Sequence, residues 1–269
     1  MANRFDYNRD DLARAFRSVG LKKGDLVFSH SNIGFLGRPA GGADPENTFQ
    51  TIYGAFHDVI GESGTLVVPT FTYSFSQKKV FDLENTPSDC GIFTELVRQH
   101  PDSIRSEDPN VSVAAIGAQA TALISRLPSN TYDEDGFFGR FHRAKGVFCN
   151  LNYSAGITFL HYVERCLKVP YRFDKTFRGV FRKNGVEEER EATIWVRYLS
   201  SDETRSVVEP FEPFEAIARE RGLFVEEKVG RGKVGLITAE DAYNLLEELL
   251  ADNPWFLTHA SISGQIPKL

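Results

Sequence analysis

The chain has 269 residues, 41% hydrophobic and 25% charged, with a formal net charge of -6. That is enough chain to bury a sizeable core, too apolar for disorder, and too acidic for a general duplex binder, which needs a basic face. Three widely spaced cysteines, Cys90, Cys149 and Cys166, make neither a disulfide framework nor a Cys-rich zinc site, and they point to a reducing, cytoplasmic setting.

In chain order, the charged opening MANRFDYNRDDLARAFR lacks the apolar core of a signal peptide, and no apolar run reaches the ~20 residues of a membrane span. Neither nucleic acid nor membrane is an expected partner. Residues 8–19 predict a helix, with Leu12, Ala13, Ala15, Phe16 and Val19 at helical spacing and Gly20 as a stop. Asp25–Ser29 predicts a short strand, and Gly34 and Gly37 mark a turn after it. Residues 47–60 predict a helix closed by Gly61. The β-branched and aromatic run 65–75 predicts a buried strand, with Pro69 forcing an irregularity near its end. Helices are expected at 91–100, 118–127 and 155–168, and strands at 112–117 and 146–152.

This alternation argues for an α/β layer architecture up to residue 168. The last hundred residues differ. Residues 177–183 and 188–199 flank Asn184-Gly185, a strong hairpin signal. A helix at 212–221, a second hairpin over 223–237 and a helix at 239–251 follow. No internal repeat or linker is visible. The expectation is one domain over 1–269, with an α/β core over 1–175 and an antiparallel part over 176–269 packed on it.

The spacing Gly230-x-Gly232-x-x-Gly235 matches a dinucleotide fingerprint, but no helix begins at Gly235, and a hairpin turn is the better reading. His161 carries more. On a helix over 155–168, Ile157, Phe159, Leu160, Val163, Cys166 and Leu167 share one half of the surface. Thr158, His161 and Arg165 share the other, with Glu164 at the border. A positioned imidazole suits general-base work, and a surface histidine without function is the plain alternative. Between Arg140 and Lys183 ten Lys/Arg face only two acids, a local +8 that leaves -14 elsewhere. A solvated positive face is the plain reading. Steering of a polyanion such as coenzyme A or a nucleotide sugar is the functional one.

Four blocks in order resemble the antibiotic N-acetyltransferase family, whose best-known members are the aminoglycoside 3-N-acetyltransferases. They are GDLVFSHSNIGFLG (24–37) with Gly41-Gly42, GTLVVPTFTYSF (64–75), RSEDPNVSVAAIG (105–117) and ITFLHYVE (157–164). The last is similar to the family's T-x-x-H-x-x-E element. The resemblance implies a layered α/β (α+β) fold with a mixed central sheet flanked by helices and a C-terminal antiparallel hairpin region. It implies a soluble N-acyltransferase using acyl-coenzyme A and no metal, and a homo-oligomer is compatible with it.

His161 is implied as the base, with Glu164 or Asp108 orienting it. The oxyanion donors are Thr70, Thr158 or backbone amides of the 30–34 turn. The co-substrate is expected against His30, Ser31, Asn32, Gly34, Phe35, Thr70, Ser106, Ser112 and Thr158. No cysteine has a partner that would make it a nucleophile. Two departures bear on the acceptor. Asp108 stands where aminoglycoside-modifying members usually have His, and VPYRFDKTFRGVF (169–181) is similar to relatives that acylate nucleotide-linked amino sugars for surface polysaccharides. With the +8 segment, this makes a nucleotide-linked amino sugar the expected acceptor, held by Tyr73, Arg165, Arg172 and Lys175. An aminoglycoside acceptor, as in the resistance enzymes, and a non-catalytic acyl-CoA or nucleotide binding module are the alternatives.

Overall fold

In the computed structural model, which describes residues 5–199 and 211–260, successive residues of the central strands enter opposite hydrophobic clusters. β1 (Leu26–Phe28) sends Leu26 and Phe28 to one side and Val27 to the other. In β2 (Thr65–Pro69), Val67 opposes Leu66 and Val68. In β5 (Val113–Gly117), Val113 and Ala115 oppose Ala114 and Ile116. In β6 (Val147–Leu151), Phe148 opposes Cys149 and Leu151. Strand side chains alternate in direction, so a sheet apolar at every position must be covered on both faces.

Helices supply that cover. α1 (Arg9–Ser18), α2 (Pro45–Ile60) and α3 (Ile92–Gln99) lie on one face. α4 (Ala120–Ile124), α5 (Phe137–Arg143), α6 (Phe159–Cys166), α7 (Glu212–Glu220) and α8 (Ala239–Asp252) lie on the other. Asn8 and Asp11 close a capping box at the start of α1, satisfying amides that the first turn would leave bare.

The sheet is mixed. β1 runs parallel to β2 and β6. β5 and β4 (Ile104–Arg105) extend one side, and β10 (Gly232–Thr238) and β9 (Val225–Val229) the other, giving the order β4-β5-β2-β1-β6-β10-β9. A second sheet joins β3 (Phe81–Asp82) to the long hairpin β7 (Arg172–Lys183) and β8 (Val186–Arg197). Asn184 and Gly185 both have positive φ, 50° and 76°, as the tight turn requires. The two expected hairpins therefore part company. β7–β8 builds the second sheet, whereas β9–β10 pairs with β6 and becomes an edge of the first. Gly230, at φ 58°, serves the β9–β10 turn, as read from the sequence.

Several expected elements are shorter. The strand over 65–75 ends at Pro69. Beyond it Thr72 bonds the Pro109 carbonyl, Tyr73 turns to φ 49°, and the chain leaves the sheet. The helix over 118–127 stops at Ile124, because Ser125 is extended, Arg126 has φ 52° and Pro128 follows. The helix over 155–168 begins only at Phe159, after a turn through Asn152 at φ 47°. Among the described residues no helix is long and apolar enough to cross a membrane.

β1 and β6 are adjacent and parallel, so their chains leave the sheet side by side. Leu151 N donates to His30 O at 2.9 Å, and Asn32 N donates to Leu151 O at 2.8 Å. Loops 29–36 and 152–158 thus emerge together, and the second leads straight into α6.

Candidate active site

α6 carries the expected face. Phe159, Leu160 and Val163 are fully buried in the core, while His161 keeps 17% of its side chain exposed. Glu164, three residues on, is fully buried and reaches back. The His161 Nδ1–H donates to Glu164 Oε2 at 2.7 Å. This contact sets the tautomer, so base chemistry falls to Nε2. Two further groups hold the carboxylate: the Tyr171 hydroxyl donates to Oε1 at 2.9 Å, and Arg172 Nε lies 2.9 Å from Oε2. Burial alone would push Glu164 up. The Arg172 charge and the His161 and Tyr171 hydrogen bonds outweigh it and hold the carboxyl below its ordinary value.

Ring edges wall the imidazole. Tyr132 and Phe211 meet it edge-on at centroid distances of 5.9 and 5.4 Å. Tyr73, 41% exposed on the loop after β2, stands near Tyr132. His30 arrives from the β1 loop. It is buried, stacks on Tyr153 at 5.3 Å, and places Nε2 3.5 Å from the Thr158 hydroxyl, one turn before His161. Burial pushes the His30 imidazole down to about 4, so it is neutral at physiological pH.

The structure thus brings together His161, Glu164, Thr158, His30 and Arg172, and it separates others. Asp108 does not orient His161. Its carboxylate accepts from Asn110 N, Val111 N and the Thr131 hydroxyl, pinning its own loop, and it borders a groove of about 740 Å³ that Glu107, Arg126 and Lys183 also line. Thr70, Ser106 and Ser112 lie in the interior. Thr70 and Ser112 bond each other, Ser106 accepts from Val113 N, and all three are at most 1% exposed. Ser31 and Asn32 tie the loop to Leu151 through the backbone, while Gly34 and Phe35 are exposed beyond them on a single 3₁₀ turn, Ile33–Leu36.

The expected anion binders are also otherwise engaged. Arg165 forks onto Asp174 at 2.9 and 3.0 Å and donates to the Tyr132 carbonyl, and Arg172 is buried against Glu164. Lys175 is exposed, over the Phe177 ring. More broadly, six of the ten cations counted between Arg140 and Lys183 meet carboxylates. Arg143 meets Asp135, Arg165 meets Asp174, Arg172 meets Glu164, Arg178 meets Glu191, Arg182 meets Asp82 and Glu187, and Lys183 meets Glu107. Two of these pairs use Glu164 and Asp174, already counted in the +8, and acids from outside the segment answer the other four cations, so about half of the excess is offset in the fold. Burial pushes all three thiols up, which keeps them protonated and inert. Sequence reasoning missed Tyr132, Tyr171 and Phe211. Only the position of Tyr171 just after the α6 block hinted at it.

A family model described as aminoglycoside 3-N-acetyltransferase matches residues 28–251. Aminoglycoside N(3)-acetyltransferase VII of Streptomyces paromomycinus is 29% identical over 263 residues, covering 87% of this chain and 85% of the relative. Aminoglycoside N(3)-acetyltransferase IX of Micromonospora chalcea is 28% identical over 262 residues, covering 87% of each. Among solved structures, aminoglycoside acetyltransferase AAC(3)-Xa superposes with a TM-score of 0.78 at 23% identity, over 94% of this chain and 93% of that one. AAC-VIa bound to sisomicin does so at 0.77 and 22%, over 91% and 98%.

Proposed function

The chain belongs to the aminoglycoside 3-N-acetyltransferase family, and from that premise we propose that it moves an acetyl group from acetyl-coenzyme A to an amino group of an aminoglycoside-type polyamine, with His161 as base. As a member it is an acyl-coenzyme A-dependent N-acyltransferase. The observation that carries the mechanism is the 2.7 Å contact between His161 Nδ1 and buried Glu164. The substrate ammonium gives a proton to His161 Nε2, and Glu164 stabilises the imidazolium that forms. The freed amine attacks the thioester carbonyl carbon. The Thr158 hydroxyl, at the head of α6, is the candidate donor to the oxyanion. The C–S bond then breaks: the amine's second proton passes to the leaving coenzyme A sulfur, which departs as the free thiol, while the first proton, held on His161, is returned to solvent.

For the acceptor, the pairing of six of the ten clustered cations removes the main reason to expect a pyrophosphate. The test is release of free thiol from acetyl-coenzyme A with three acceptors at equal concentration: a kanamycin- or gentamicin-like aminoglycoside, a free amino sugar, and a nucleoside-diphosphate amino sugar. The aminoglycoside should be acetylated fastest. Turnover confined to the nucleotide-linked sugar would overturn this acceptor, and coenzyme A binding without any turnover would make the chain a binding module.

A further inference from the structure

Two loops meet at the head of α6, and each brings one polar side chain. His30 comes from the loop after β1 and Thr158 from the loop after β6. The His30 ring is wedged between the Phe28 edge at 4.8 Å and the Tyr153 face at 5.3 Å. Its Nε2 lies 3.5 Å from the Thr158 hydroxyl, which does not cap α6 and among the described residues has no other hydrogen bond. Asn150 of β6, fully buried, fixes the spacing of both loops. Its Oδ1 accepts the His30 backbone N–H at 3.1 Å, and its Nδ2 donates to the Ser154 carbonyl at 2.7 Å. Resting on Thr158 as the oxyanion donor, we infer that His30 is a positioning residue for acyl transfer: its Nε2–H donates to the Thr158 hydroxyl oxygen and so leaves that hydroxyl's own proton to point at the thioester oxygen.

A hydroxyl has one proton to give, so what holds its oxygen decides where that proton points. A neutral imidazole offers one N–H and one lone pair, and burial keeps His30 neutral. With the proton on Nε2, the ring donates to Thr158 Oγ1 and the hydroxyl stays free to donate onward. With the proton on Nδ1, Nε2 would instead draw the hydroxyl's proton away from the reacting carbonyl. Nδ1 is buried without a hydrogen-bond partner. The other polar side chain at the ring, Asn150, already engages Oδ1 and Nδ2 with the two loops. A bare buried N–H is rarer in proteins than a bare acceptor, which places the proton on Nε2, toward Thr158. A 3.5 Å contact is long at rest, and contacts that act in catalysis tighten when substrate binds.

Kinetics with acetyl-coenzyme A and kanamycin separate this role from a merely structural one, because a donor felt only in the transition state moves kcat and leaves KM. Thr158→Val should lower kcat by about 100-fold. His30→Leu, which fills the space and cannot donate, should lower kcat by about tenfold or more with both KM values within about twofold. His30→Gln, whose side-chain amide can donate in place of Nε2–H, should recover most of that loss. Added to Thr158→Val, His30→Leu should lower kcat no further, since the hydroxyl it positions is gone. Losses that multiply in the double variant, or wild-type kcat in His30→Leu, overturn the inference. ¹⁵N-histidine NMR of the wild type needs neither variant nor acceptor. It should find His30 protonated on Nε2 at neutral pH, and a proton on Nδ1 overturns the inference. Failure of the underlying reading shows separately. Wild-type kcat in Thr158→Val removes the oxyanion donor and the inference with it. Wild-type protein that does not turn over kanamycin removes the acceptor alone, and the NMR then decides the His30 contact.

Discussion

Acid should destabilise this protein through His30 in particular. An unfolded histidine titrates near 6.5, and burial lowers His30 to about 4. The ring is 6% exposed, between the Phe28 edge at 4.8 Å and the Tyr153 face at 5.3 Å. With the folded value depressed, the stabilising contribution is fully present above pH 6.5 and is lost as pH falls toward 4, because the unfolded chain binds the proton first. About 2.5 units at ~1.4 kcal/mol each give roughly 3 kcal/mol, most of it gone by pH 4.5. His30→Gln keeps similar bulk and cannot titrate. Urea unfolding of both proteins at pH 7.5, 6.5, 5.5 and 4.5 isolates the effect, since every other group is common to the pair. The wild type should lose on the order of 2–3 kcal/mol more than the variant over that range. Parallel curves, agreeing within about 0.5 kcal/mol, would refute the reasoning and place a charged, solvated His30 in the folded state.

His161→Asn should cut turnover by about 100-fold or more, with acetyl-coenzyme A affinity by calorimetry nearly unchanged, and survival of turnover within a few-fold removes His161 as base. Glu164→Gln leaves Arg172 as a buried charge without a counter-ion, and it should cost about 3–5 kcal/mol in denaturant unfolding as well as turnover. A loss under about 1 kcal/mol would mean that water or another acid reaches the guanidinium. A Cβ at Gly139 would overlap the Glu134 backbone carbonyl, so Gly139→Ala should lower stability by about 1–3 kcal/mol. A melting temperature equal to the wild type would show that the 134–139 turn relaxes without cost.

The legible parts of the sequence were those governed by one local rule. The apolar period of α6 placed His161 and Thr158 on the open face and buried Phe159, Leu160 and Val163, as the structure has them. Asn184-Gly185 gave a hairpin, because both residues tolerate the positive φ that turn needs. α5 was not legible. FFGRFHR is aromatic throughout, and only packing of Phe137, Phe138 and Phe141 into the core, with Gly139 against Glu134, decides that it is a helix. Glu164 read as a border residue. Its burial depends on Tyr171 and Arg172 folding back over it, and no periodicity within α6 carries that information.

The charge reading failed for a reason that the hairpin itself contains. Counting cations from Arg140 to Lys183 stops at the turn, and the acids that answer them begin at Glu187, two residues beyond it. The β7–β8 register puts Arg178 opposite Glu191 and Arg182 opposite Glu187, and both pairs form ion pairs. Opposite charges across an antiparallel pair stabilise each other, so an acidic strand after a tight turn answers part of the charge of the basic strand before it. Glu107, from the loop after β4, takes Lys183 together with Arg190 of β8. A segment's net charge therefore describes a surface only after its strand partners are counted. Arg172 lies outside that pairing: β8 sets Arg197 opposite it, and its carboxylate partner, Glu164, comes from α6.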